Sequence, residues 1–165
     1  MSTLADTLSA IIEGMAARLQ AENRPCGRVS IYPGSTEVWD LVGPEGQLYL
    51  RLVQTFPSTN FPYQSYLPTG DGNEQLTVIR LAMGVLRCGA VLDDAGNPPS
   101  PAAITADGLA EVDDTLSLIN FYYDDLRGLT AANTIQSHFG QVSPKPMTGA
   151  IHGVEMDFFI AVPRC

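Results

Sequence analysis

The chain is poor in charge, poorer still in bases, and carries no catalytic signature. Only 16% of its 165 residues are Asp, Glu, Lys or Arg, where free soluble domains usually carry about 25%. A deficit of that size points to a surface partly covered by partners. Nine bases stand against eighteen acids, for a net charge of −9. A general nucleic-acid binder needs the opposite sign, because affinity for phosphate comes from Lys and Arg. If the protein sits near DNA, it does so without gripping it. The three cysteines, Cys26, Cys88 and Cys165, are an odd, widely spaced set without a CxxC pair. That favours neither a zinc site nor a disulfide framework and fits reduced thiols in a protein made in the cytosol. The first residues lack the basic start and apolar run of a signal peptide, and no apolar run approaches membrane-spanning length. Internal repeats are absent.

Chemistry is equally sparse. There is no GxSxG, P-loop, HExxH or complete GxGxxG. The two histidines, His138 and His152, have no Cys, Ser or second His at a spacing that suggests a ligand set or a nucleophile pair. Gly70-Asp71-Gly72-Asn73 resembles the start of a calcium loop, but the ordered acidic positions and the terminal Glu are missing. Asp93-Asp94 reads as the hydrophilic tip of a turn rather than a catalytic acid pair. No catalytic, cofactor-binding or metal-ligating residue is assigned, and the reading is of a protein that is not an enzyme.

What the sequence does contain is a fold. A hydrophobic fraction of 45% excludes disorder, and residues 1–165 read as a single domain that buries roughly 70% of the surface its unfolded chain exposes. Leu4, Leu8, Ile11, Ile12, Met15 and Leu19 form one apolar stripe of a first helix, with Thr3 as its cap and an end near Glu22. A short strand over 28–32 follows. Residues 37–42 and 47–56 read as a hairpin across 43–46, in which Leu48, Leu50 and Leu52 share a face. Residues 75–86 alternate with apolar side chains on both faces, the mark of a central strand. Thr77, Ile79, Leu81, Met83 and Val85 take one face. Ser100 as N-cap and Pro101 at the first helical position open a second helix. Its residues Leu109, Val112, Leu116, Ile119, Tyr123 and Leu126 recur at 3-4 spacing, so this face is expected to pack on the sheet, with Gly128 as the stop. Residues 129–139 hold a short helical piece, and 149–162 form a long final strand. The fold class expected is α/β (α+β): a mixed, largely antiparallel sheet of about four to five strands with two main helices packed against it.

Two features suit partners. Between Leu52 and Gly70 no charge occurs, and the loop 57–74 carries Phe61, Tyr63 and Tyr66 with Asn60, just after Phe56. It reads either as a loop folded over its own core or as a contact surface, since interface cores are aromatic-rich and depleted of charge. The second helix is acidic, with Asp107, Glu111 and Asp114 on one side. Such a run is a solvated face or one that meets a basic partner. Phe56, Asn60, Phe61, Tyr63, Tyr66, Asp93, Asp94, Asp107, Glu111 and Asp114 are therefore the candidate oligomer or partner-interface residues.

Three stretches taken together resemble a family of neck proteins of long-tailed actinobacteriophages, the tail terminators. They are GQLYLRLVQTFPSTNFP (46–62), GVLRCGAVLDDAGNPPS (84–100), and the first helix with the short strand after it. The resemblance covers roughly half of the chain. It implies an α/β protomer assembling into a ring, a hexamer, on the head-proximal end of the tail tube. Such a ring stops tube growth and docks the filled head. Its partners would be other copies of itself, the major tail-tube protein and the head-proximal neck or connector protein. DNA would pass through without specific binding, and there would be no membrane contact, cofactor or catalytic residue. The place implied is the virion, after synthesis in the host cytoplasm. A head-to-tail connector or stopper ring nearer the capsid is the alternative within this class. A small cytosolic enzyme or ligand-binding domain, or a generic adaptor, is the alternative outside it.

Overall fold

The computed structural model describes residues 4–34, 43–64, 76–132 and 135–163. Their order is α1 (Leu4–Ala21), β1 (Arg28–Pro33), β2 (Gln47–Ser58), β3 (Leu76–Cys88), α2 (Pro101–Phe121), a π-helical stretch (Tyr122–Leu126), α3 (Arg127–Ala132), β4 (Gln136–Thr148) and β5 (Ile151–Pro163). The five strands make one sheet in the order β1-β2-β3-β5-β4. All neighbours are antiparallel except the parallel pair β1–β2. The mixed sheet with helices packed against it is the fold class read from the sequence. No helix among the described residues is long and apolar enough to cross a membrane.

β3 lies at the centre of the sheet, as its two-sided apolar pattern requires. Ile79, Leu81, Met83 and Val85 face the helices and join Leu48 and Leu50 of β2 and Val154, Met156, Phe158 and Ile160 of β5 in the main core. Ile11, Ile12, Met15 and Leu19 of α1 close that core from above. At roughly 1.5–3 kcal/mol per buried aliphatic side chain, this layer accounts for most of the driving force for folding.

Among the described residues the sheet departs from simple alternation at three irregularities. One falls between Leu52 and Gln54. The extra residue flips every later side chain of β2 to the opposite face. Phe56, which alternation would place with Leu48 and Leu50, therefore packs with Val78 and Ala161 in a second cluster below the sheet. The other two are in β4, at Gly140 and between Lys145 and Thr148. That strand is not expected from the sequence: only the first part of 129–139 is helical, as α3, and residues from Gln136 onward pair with β5. Pro144 and Pro146 mask its pattern, yet a terminal strand has one edge that needs no donors and tolerates them. The first arm of the expected hairpin, 37–42, lies outside the described residues. Gln47–Leu52 has β1 on one edge and β3 on the other. Gly128 does not stop the second helix, which runs on through α3.

On the face away from the helices, Tyr49, Gly84 and Glu155 stand in one row across three strands. Gly84 leaves room for the phenol ring of Tyr49, into which a Cβ at position 84 would project. The ring thereby spans the central strand and its hydroxyl donates to Glu155 Oε2 at 2.6 Å. Replacing Gly84 with Ala is expected to lower stability by about 2 kcal/mol through overpacking. In a Tyr49→Ala background the same change should cost far less, as measured by a double-mutant cycle of urea denaturation.

Candidate interaction surfaces

α2 is capped as its sequence requires: Ser100 accepts from the Ala103 amide, and Pro101 fills the first turn. Its orientation is the reverse of what its apolar spacing predicts. Asp114, Ser117, Leu118 and Phe121 are the buried residues of the helix. Leu109, Val112, Leu116 and Tyr123 face outward and are 62%, 54%, 50% and 53% exposed. Leu126 alone of the expected stripe is buried, because the wider π-helical turn before it breaks the 3.6-residue period and brings it inward.

The reason lies in cations supplied by other elements. Asp114 is 1% exposed and accepts from Arg24, at the exit of α1, and from Arg87, at the end of β3. Arg87 also donates to the Arg24, Pro25 and Glu45 carbonyls, which ties two loops to the same point. Ser117 donates to Glu22 and receives from Arg24. One turn toward the N-terminus, Glu111 Oε2 lies 3.2 Å from His152 Nδ1. A further turn away, Asp107 accepts from the Ala90 amide at 2.7 Å. Arg18 binds Glu22, Asp124 and Asp125. The acidic side of the helix is thus turned toward the protomer: Asp114 is buried between two arginines, while Asp107 and Glu111 are part-buried and take internal partners in the Ala90 amide and His152.

The remaining interface candidates from the sequence fall in different places. Phe56 is buried and unavailable to a partner. The chain turns at 60–63, where Tyr63 N donates to Asn60 O at 2.9 Å and Ser58 Oγ donates to Tyr63 O at 2.5 Å. Phe61 folds back on the lower cluster, edge-on to His138 with ring centres 6.2 Å apart. Asn60 is exposed, and Tyr63 stands out at 68% exposure. Tyr66 lies outside the described residues. Asp93 organises its own turn, accepting from the Ala95 and Asn97 amides and from the Asn97 side chain. The hydrogen bond from the Asn97 side chain leads the interactions that hold its carboxyl below the ordinary range. Asp94 is exposed at the tip of that turn.

Beneath the sheet, Glu155 receives Arg51 at 2.8 and 2.9 Å and Lys145 at 2.6 Å in addition to Tyr49. Burial pushes its carboxyl upward, but the hydrogen bonds from Arg51, Lys145 and Tyr49 outweigh it and hold the group below its ordinary value of 4.5. Burial likewise pushes the Cys26 thiol up to about 11, which leaves little nucleophilic thiolate at neutral pH. Among the described residues no group of three or more His, Cys, Asp and Glu is placed to hold a metal. The described residues form open depressions on the surface. One, of about 220 Å³, is lined by Gly27, Arg28 and residues 43–46. Another, of about 290 Å³, is lined by Glu22, Arg24, Asp113, Leu116, Ser117 and Asn120.

Sequence reasoning misses the outward stripe as a surface because it assigns those residues to the core. The available signal is the unusual acid content of the helix, read together with Arg24 and Arg87 as internal partners. No family model matches the chain, and no curated protein shows significant similarity to it.

Replacing Asp114 with Ala leaves two guanidinium groups facing each other without their shared counter-ion and is expected to cost about 3 kcal/mol. Asp113→Ala, at the exposed neighbouring position, should change stability by less than about 0.5 kcal/mol; denaturant midpoints read both. For Glu155 the depressed folded pKa means that its contribution is complete above pH 4.5 and is lost as pH falls further. The Glu155→Gln variant is therefore expected to be less stable at neutral pH. Between about pH 5 and pH 3 it should lose less stability than the parent protein, a difference that thermal melts across the range would show.

Proposed function

We propose that this protein is a structural component of a phage neck, a tail terminator that assembles as a ring on the head-proximal end of the tail tube. The observation that carries the reading is the outward apolar stripe of α2 on a chain whose described cations are mostly paired internally. Such a surface is suited to being covered by protein, because monomeric soluble proteins rarely expose contiguous apolar patches of this kind without a use for them. The resemblance of 46–62 and 84–100 to terminators adds to it. These stretches contain β2 and the end of β3, and Gln47, Leu48 and Tyr49 pair with Leu86, Val85 and Gly84. The resembling residues thus form one contiguous piece of the fold.

The charge balance is consistent with the proposal. A net charge of −9 leaves no strong grip on phosphate, so DNA can pass. In this role the protein works by geometry. It offers one surface to its own copies, another to the tube and a third to the head side.

The test uses purified tail-tube protein from the same phage. When it polymerises with this protein present, tubes should stop growing and carry a ring at one end in negative-stain images. Uncapped tubes of unchanged length distribution would overturn the terminator reading. Tyr63→Ser, which removes an exposed ring, is expected to weaken capping without lowering the melting temperature. Phe61→Ser should lower stability by about 1–2 kcal/mol through loss of its packing below the sheet.

A further inference from the structure

A second apolar surface, unlike the first, lies at the opposite end of the sheet. Val29 and Ile31 of β1 are 43% and 44% exposed, and Leu52 of β2 is 37% exposed. Val29 and Ile31 pair with Leu48 and Leu50, so they belong to the helix side of the sheet. They are nevertheless left open there, at the terminal strand.

The two surfaces match in three respects. Both are apolar. Leu109 to Leu116 covers about 10 Å along a helix, and Val29 to Pro33 covers about 13 Å along a strand. Each also carries an exposed charge that forms no ion pair among the described residues, Asp113 on the one and Arg28 on the other, and the signs are opposite. Asp113 flanks the stripe beside Leu109 and Leu116, and Arg28 begins the edge strand. Most other cations of the described residues are held by acids of the same protomer. Arg28 has no such acid among the described residues. A depression adjoins each surface, one lined by Arg28 together with Glu45 and the other by Asp113 and Leu116 together with Glu22 and Arg24, whose charges are paired within the protomer.

We infer that the outward stripe of α2 packs on the β1–β2 edge of a second copy of this chain, with Asp113 meeting Arg28. The contact is heterologous, since the two surfaces differ, and repetition of it closes a ring if the rotation allows and makes a filament if it does not. The inference deepens the neck assignment and specifies which surfaces join the copies, and it rests on that reading only for the biological setting. A stripe-to-stripe pairing would instead place Asp113 against Asp113, like charges at the same contact.

Mixing tests this directly. Leu116→Asp removes the stripe and Ile31→Asp removes the edge; both positions are exposed, so circular dichroism and melting should match the parent. The parent should form oligomers by light scattering and native mass spectrometry, and each variant alone should be monomeric. An equimolar mixture has one intact stripe and one intact edge per pair and should stop at the dimer. Asp113→Arg and Arg28→Asp should each weaken assembly, and the two changes in one chain should restore it. A monomeric parent, a monomeric mixture, or loss of assembly in Leu116→Asp but not in Ile31→Asp would overturn the inference. Tube capping by a parent that fails these tests would leave the neck function standing without this interface. Assembly as described without capping would do the reverse.

Discussion

A single buried carboxylate sets the shape of this protein's surface. Asp114 is 1% exposed and sits between Arg24 and Arg87, which come from the end of α1 and the end of the central strand. A carboxylate withdrawn from water is tolerated only when paired and hydrogen-bonded. Two guanidinium groups, themselves anchored to backbone carbonyls, supply that environment. Once Asp114 points inward, the rotation of α2 follows. Leu118 and Phe121 enter the core, Ser117 reaches Glu22, and Leu109, Val112 and Leu116 are left in solvent. The hydrophobic energy forgone on that face becomes available for association.

The parts of the fold legible in the sequence are those where local pattern and long-range packing agree. α1 has one apolar stripe and no competing face. β3 is apolar on both sides because strands flank it and side chains pack above and below. Ser100-Pro101 starts a helix through local hydrogen bonding and backbone geometry alone. α2 differs because both of its faces are plausible cores. Periodicity favours the face with more Leu and Val, and only partners 90 and 27 residues away in sequence decide for the other. Phe56 leaves its expected face for a similar reason, since a one-residue bulge in β2 reverses the alternation that follows it. The parallel pairing of β1 with β2 and the proline-bearing β4 rest on contacts that no short window contains.

The candidate interface moves in the same way. Charge and aromaticity in the sequence point to the acidic ridge and to the loop after β2. Of these, Asp107, Glu111 and Asp114 each have a partner within the protomer, Phe56 and Phe61 belong to the lower cluster, and Asn60 and Tyr63 stay at the surface. The larger exposed apolar surface is the stripe that sequence pattern assigns to the interior. Composition nevertheless anticipates it, because a chain with so few charges has to leave apolar groups outside.

The central claim is that the outward face of α2 is covered by the edge of another copy, and intermolecular cross-linking tests it most directly. In a background with the native cysteines replaced by serine, Leu116→Cys and Ile31→Cys placed in the same chain should give a disulfide-linked ladder of multimers on mild oxidation. Either substitution alone should give none. A Leu116→Cys single variant that cross-links to itself, or a double variant that stays monomeric on a non-reducing gel, would contradict the account.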